Sequence, residues 1–175
     1  MTSLYANEIR MAAAKYSVDP RLITAMVLVE SSDDPFAWNP EPRYHYLWDV
    51  RARAPFRRVT DAELAAAFPP ADFPVLSGDR DQEWWAQRAS WGLLQIMGAL
   101  AREYGYRQAY LTALVDPATN LEVGCRHVAA LLKWSEGDVL QAVAAFNGGK
   151  TGNVAVPYRN QKYADKVLTA LSEVN

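Results

Sequence analysis

The chain has 175 residues, 50% of them hydrophobic, and 18 basic against 20 acidic residues give a formal net charge of −2. This length and apolar content predict a single domain over 1–175 with a sizeable core. The charge balance excludes a basic nucleic-acid binder, and the apolar fraction excludes a disordered chain. Cys125 is the one cysteine, which excludes a disulfide within the chain. With only two histidines beside it, we expect no metal site and no cofactor.

The first sixteen residues, MTSLYANEIRMAAAKY, have no basic start followed by an apolar run. A secretory signal needs both, so we expect synthesis in the cytosol without a signal peptide. No apolar run approaches the length of a membrane span, so we expect no membrane insertion. A target outside the cell would then be reached by another route.

The predicted elements begin with two helices. Residues 3–16 carry apolar side chains at helical spacing and predict the first. Asp19 can cap a second helix, and Pro20 suits its first turn. We expect that helix to run from Pro20 to about Ser31.

The segment 40–89 differs from the rest and reads as a long ordered insertion. It holds six of the ten prolines and eight aromatic side chains, which disordered segments lack. Thr60 and Glu63 form a capping box that predicts a helix of about eight residues. A second short helix is expected over about 81–89, with at most a small β-hairpin within 40–78.

Four more helices are expected after the insertion. Their predicted ranges are about 93–104, 117–134, 138–147 and 160–171. Pro117 and Asp138 stand at the starts of two of them, and Gly105 stands after another. The fold class predicted from this pattern is mainly α.

Glu30 stands at the end of the second predicted helix, after the apolar run Val27-Leu28-Val29. The carbonyl ends of the helix and the apolar neighbours both disfavour the ionised carboxylate, so both raise its pKa. A carboxylic acid that keeps its proton near pH 7 can act as the general acid in cleaving a glycosidic bond. A surface glutamate at a frayed helix end is the alternative interpretation.

Five segments together resemble the motifs of the soluble-type lytic transglycosylases (SLT), which share the goose-type lysozyme fold. The family patterns are a glutamate-serine pair followed by x-P-x-A-x-S/N, then S-x-G-L-M-Q-I-M-P, D-P-x-x-N-I-x-x-G, A-x-A-Y-N-A/G-G and Y-V-x-x-V. Their counterparts occur in the family's order, at 30–39, 90–98, 116–124, 144–149 and 163–167. The resemblance therefore implies a lysozyme-like domain that carries the insertion at about 40–89.

The resemblance implies that the chain cleaves peptidoglycan glycan strands, at the bond between N-acetylmuramic acid and N-acetylglucosamine. Separately, we expect the chain to be a monomer. Glu30 would be the catalytic acid and then the base, leaving a 1,6-anhydromuramyl end with the help of the substrate's own N-acetyl group. Tyr163 would donate to Glu30, and the other expected substrate-binding residues are Asn39, Ser90, Gln95, Phe146 and Asn147.

Positions within these motifs that differ from residues common in the family include 39, 94, 98 and 146. Asn39 stands where many relatives have serine, and Phe146 stands where tyrosine is usual. Leu94 replaces a methionine of similar volume, and Gly98 replaces a proline. The insertion is also longer than the family's usual link, and it could cover a cleft, narrow substrate choice or contact a partner.

Several other features resemble functional sites but are interpreted as structural. Gly148-Gly149-Lys150-Thr151 lacks the further glycine of a phosphate-binding loop, and Asp79, Asp81 and Glu83 lack the glycine of a calcium loop. Cys125 is expected to be a buried, inert thiol, and His127 a surface or cap residue. Tryptophans are concentrated within 38–91, where they either anchor the insertion to the helical core or offer flat surfaces on which sugar rings stack.

Two other functions remain open at this level. A hydrolytic goose-type muramidase would need a second carboxylate to activate water, for which the candidates are Asp33, Asp34, Asp49, Asp79 and Asp81. A wall-binding or virion structural module would need no catalysis. The absence of a signal peptide favours a phage lysis protein, a virion-associated protein or a secreted effector.

Overall fold

The computed structural model describes residues 1–76, 78–150 and 160–174, and helices dominate in these ranges. The helices are α1 Ala6–Tyr16, α2 Pro20–Ser31, α3 Asp61–Ala65, α4 Arg80–Gln87, α5 Gly98–Glu103, α6 Pro117–Trp134, α7 Val139–Gly148 and α8 Gln161–Glu173. The strands are β1 Trp38–Pro40, β2 Trp48–Asp49, β3 Ala54–Pro55, β4 Ala89–Trp91 and β5 Ile96–Met97, and a 3₁₀ turn covers Leu111–Val115. The predicted mainly helical class is confirmed.

The chain forms two compact units. The first unit comprises 1–33 and 121–175, and the second comprises 34–120. Helix α6 begins in the second unit and continues in the first.

In the first unit, α2 is the most deeply buried helix. It packs against α1 and α8, and α8 also packs against α7. Residues 22–27 of α2 are all buried. Asp19 caps the helix by accepting a hydrogen bond from the backbone N–H of Arg21 at 2.8 Å, and Pro20 takes the first position. The predicted start and end of this helix are both confirmed.

The second unit contains a small antiparallel sheet in the order β1-β4-β5. In its register Asn39 lies opposite Ser90, and Ser90 lies opposite Met97. The expected small hairpin is β2 paired with β3. The three-stranded sheet goes beyond that expectation, because its strands are two or three residues long and leave no periodic signal in the sequence.

The insertion has a hydrophobic core of its own, which confirms that it is ordered. Its buried members are Leu47, Val59, Leu64, Phe73 and Trp84. The Phe73 ring meets the Trp84 ring edge-on with centroids 5.0 Å apart. The capping box of Thr60 and Glu63 opens α3, although that helix has five residues instead of about eight.

Helix α5 begins at Gly98, and the predicted start near Leu93 is wrong. Residues 93–95 form a turn in which Gln95 has a φ of 45°. The side chain of Asn120 accepts the N–H of Leu94 at 2.9 Å, and the carbonyl of Gly92 accepts the N–H of Gln95 at 3.1 Å. These bonds hold the segment in a turn even though its residues suit a helix.

A fully buried ion pair joins α4 to α5. The guanidinium of Arg102 donates to both carboxylate oxygens of Glu83, at 2.8 and 2.7 Å, and the exposed fractions of the two side chains are 0% and 1%. Gln87 donates to the same carboxylate at 2.9 Å, and Arg102 also donates to the carbonyls of Tyr106 and Gln108. Arg102 and Gln87 thus donate five hydrogen bonds around this buried pair.

We expect Arg102→Met to lower the free energy of unfolding by about 3–5 kcal/mol, because it leaves the Glu83 carboxylate buried without its partner. Urea unfolding followed by circular dichroism measures the loss. Arg21→Met is the matched control, since it removes an exposed pair with Asp19, and it should cost far less. Equal losses in the two variants would contradict this interpretation.

Candidate active site

Glu30 lies in the last turn of α2, where its side chain is half-buried. The hydroxyl of Tyr163, in the first turn of α8, donates a hydrogen bond to Oε1 of Glu30 at 2.5 Å. Burial raises the pKa of the Glu30 carboxyl, and the bond from Tyr163 opposes part of that rise. The carboxyl is therefore biased towards its protonated form and held in one position.

Tyr163 remains a hydrogen-bond donor at any pH the protein meets. Burial raises the pKa of its hydroxyl well above the ordinary value of 10, and the nearby Glu30 charge raises the pKa further. A phenol that keeps its proton can donate to Glu30 in both ionisation states of the carboxyl. This pair is the contact that the family resemblance implied.

Two further expected residues, Phe146 and Asn147, lie at the end of α7 in the same unit. Phe146 packs beside Leu131 and its ring meets the ring of His127 with centroids 5.4 Å apart. Asn147 is exposed and precedes Gly148, where an added Cβ would lie 1.8 Å from Nδ2 of Asn160, so a side chain there would require the Asn160 amide to move.

His127 is not the surface or cap residue that the sequence suggested. It is half-buried within α6, and burial, with a contribution from the charge of Lys150, lowers its pKa to about 4. It is therefore neutral under ordinary conditions. Cys125 is fully buried as expected, and burial raises the pKa of its thiol to about 12, which makes the thiol unreactive.

The second unit brings together Asn39, Ser90 and Gln95. Asn39 and Ser90 are directly opposed in the β1–β4 pairing. The hydroxyl of Ser90 donates to Oε1 of Gln95 at 2.8 Å. Nε2 of Gln95 donates to the carbonyls of Ala37 and Gly92, at 3.0 and 2.9 Å. The Gln95 amide thus joins Ala37, the residue before β1, to the turn after β4, while its Oε1 retains a second lone pair for a ligand.

Asn120 holds that turn in place, a role that was not predicted from the sequence. It is fully buried, its Oδ1 accepts the N–H of Leu94, and its Nδ2 donates to the carbonyls of Trp91 and Leu114 at 2.7 and 3.0 Å. An added Cβ at Gly92 would lie 2.6 Å from Nδ2 of Asn120. The asparagine of the D-P-x-x-N pattern was the available signal, but its partners are distant in sequence.

Gly98, where the family pattern has proline, touches the insertion. An added Cβ there would lie 2.1 Å from the carbonyl oxygen of Ala86, in α4. The indole N–H of Trp91 donates to the same oxygen at 3.0 Å. The ring of a proline would not fit, so this departure follows from the way α4 packs on the start of α5.

A model of the family described as "Transglycosylase SLT domain" matches residues 7–168. The chain belongs to the SLT family. This membership gives the chain a lysozyme-like fold class. It also places the chain among the lytic transglycosylases, which degrade peptidoglycan in the cell wall. Among the residues that the structure describes, this SLT domain has no helix long and apolar enough to cross a bilayer. Within the same residues, no group of three or more His, Cys, Asp or Glu side chains could hold a metal ion.

The raised pKa of Glu30 makes stability depend on pH. A protonated Glu30 stabilises the folded state fully below the pKa of the unfolded chain, and this contribution is lost as the pH rises through the higher pKa of the folded state. Glu30→Gln has no charge to bury. We expect it to gain stability relative to the wild type as the pH rises from about 4 to about 7, measured by urea unfolding at each pH. A difference that stays constant or reverses sign would contradict this account.

We expect Asn120→Ala to lower the free energy of unfolding by about 2–4 kcal/mol, because it removes one hydrogen bond from a buried N–H and one from each of two buried carbonyls. Differential scanning calorimetry gives the loss. Asn7→Ala, on the exposed face of α1, should change stability by about 0.5 kcal/mol or less. A loss at Asn120 no larger than at Asn7 would show that the turn does not depend on the buried amide.

Proposed function

We propose that this SLT domain cleaves the β-1,4 bond between N-acetylmuramic acid and N-acetylglucosamine and leaves a 1,6-anhydromuramyl end. Glu30 first gives its proton to the bridging oxygen as the bond from C1 to that oxygen breaks. The Glu30 carboxylate then takes the proton of the muramyl 6-hydroxyl as O6 bonds to C1. The substrate's N-acetyl oxygen stabilises C1 between the two steps. Glu30 ends protonated, as it began, and no water is consumed.

The hydrogen bond between Tyr163 and Glu30 is the observation that carries this proposal. A group that acts first as acid and then as base needs a pKa near the working pH and a fixed position. Partial burial raises the pKa of Glu30 towards that range, and Tyr163 fixes Oε1 while leaving the other oxygen for substrate. A glutamate at a frayed helix end would have neither property.

The other expected residues take supporting roles in this proposal. Asn39 orients the N-acetyl group, and Gln95 and Asn147 hydrogen-bond the sugars. Ser90 keeps the Gln95 amide in place through its bond to Oε1. Phe146, which lacks the hydroxyl of the usual tyrosine, contributes packing. In this proposal all of these residues act as one catalytic domain over 1–175.

The hydrolytic alternative needs a carboxylate free to activate water. Four of the five candidate aspartates accept hydrogen bonds from nearby turns or caps, and the fifth lies in the first turn of α4. The four acceptors are Asp33 with Ser3 and Leu4, Asp34 with Phe36, Asp49 with Arg51 and Ala52, and Asp79 with Gln82. For these four aspartates, the bonds favour the transglycosylase over the hydrolase.

Digestion of purified sacculi followed by mass analysis tests the proposed reaction. The fragments should be one water lighter than those from a hydrolytic muramidase. Glu30→Gln keeps an acceptor for Tyr163 but has no proton to give, so we expect the rate to fall by roughly 10²–10⁴-fold. Glu8→Gln, at an exposed position on α1, is the matched control and should retain the wild-type rate.

Three outcomes would contradict the proposal. Fragments of hydrolysed mass would indicate the muramidase mechanism. Sacculi that bind the wild type but release no fragments would indicate a wall-binding module. Cleavage of N-acetylglucosamine oligomers with sacculi left intact would place the substrate outside peptidoglycan.

A further inference from the structure

Glu41 is an exposed carboxylate next to one of the proposed substrate-binding residues. It follows the last residue of β1, and side chains two positions apart in an extended segment lie on the same side. Nδ2 of Asn39 donates a hydrogen bond to Oε1 of Glu41 at 2.7 Å. No motif of the family pattern includes this position.

The backbone of Glu41 is held firmly by the base of the insertion. Its N–H donates to the carbonyl of Arg88 at 2.7 Å. The Arg88 guanidinium is buried, lies over the rings of Trp84 and Trp85, and donates to the carbonyl of Leu64 at 2.9 Å. The backbone position from which the Glu41 side chain extends is therefore fixed, although the side chain itself reaches solvent.

The contact between Asn39 and Glu41 determines which way the Asn39 amide faces. An asparagine amide can turn over and exchange its oxygen for its nitrogen, but a carboxylate only accepts hydrogen bonds. Turning the amide over would set Oδ1 of Asn39 against an oxygen of Glu41, which is repulsive. With Nδ2 facing Glu41, Oδ1 is presented on the opposite edge of the amide as an acceptor.

We propose that Glu41 is a positioning residue, which fixes the Asn39 amide so that Oδ1 accepts the N–H of an acetamido group on the glycan. This inference rests on the proposed function, in which Asn39 orients that group. It also accounts for the departure at position 39. A serine hydroxyl both donates and accepts, so it would need no neighbour to choose its orientation, whereas an asparagine does.

Calorimetric binding of purified, peptide-free glycan strands tests the role of Glu41, with every variant made in the Glu30→Gln background to prevent cleavage. We expect Glu41→Ala to weaken binding by roughly three- to tenfold, the worth of one ordinary hydrogen bond. Glu41→Gln should restore binding to within about twofold, because its side-chain oxygen can accept the same bond from Asn39. Glu8→Ala is the matched control for removal of an exposed glutamate.

A double variant separates positioning from direct contact. If Glu41 acts through Asn39, Asn39→Ala together with Glu41→Ala should bind no more weakly than Asn39→Ala alone. A full additional loss in the double variant would overturn the inference, as would Glu41→Ala binding like the wild type. Thermal unfolding of each variant checks that the fold is intact, since the exposed Glu41 side chain should contribute little to it.

The hydrolytic alternative needs a carboxylate that activates water, and Glu41 should be tested for that role as well. With Glu30 intact, Glu41→Gln should leave the masses of the sacculus fragments unchanged. Hydrolysed fragments that disappear in Glu41→Gln would make Glu41 a base and overturn its positioning role. Failure of the wild type to cleave sacculi would contradict the proposed function alone, because the binding measurements do not depend on cleavage.

Discussion

The burial of one carboxyl group at the end of an apolar helix is the constraint on which this site depends. Helix α2 is buried over residues 22–27, and its last turn brings Glu30 to a place where ionisation is disfavoured. Helix α8 packs against α2 and carries Tyr163, whose hydroxyl remains a donor. The same packing that stabilises the first unit thus sets the proton affinity and the position of its candidate acid.

The second unit meets a different requirement, which is to hold a short turn in a strained conformation. Gln95 has a positive φ, which costs a non-glycine residue energy, and its own amide and the buried amide of Asn120 hold the turn on both sides. Gly92 and Gly98 are the positions where no side chain fits. The insertion contributes here as well. Its helix α4 packs closely against Gly98, and the carbonyl of Arg88 accepts a hydrogen bond from the N–H of Glu41.

Local signals in the sequence predicted local structure well. The cap at Asp19 and the capping box at Thr60 each identified a helix start, because their hydrogen bonds join residues two or three apart. The contact between Glu30 and Tyr163 spans 133 residues and came only from the family resemblance. The start of α5, the role of Asn120 and the burial of His127 depend on side chains distant in sequence, which periodicity does not report.

A direct test of the central claim is the titration of the Glu30 side-chain carboxyl by carbon-13 NMR, in the wild type and in Tyr163→Phe. The account predicts a wild-type pKa above the ordinary value of 4.5, because burial disfavours the charge. It also predicts a still higher pKa in Tyr163→Phe, because the lost hydrogen bond favours the charged form. A wild-type pKa at or below the ordinary value would contradict the account.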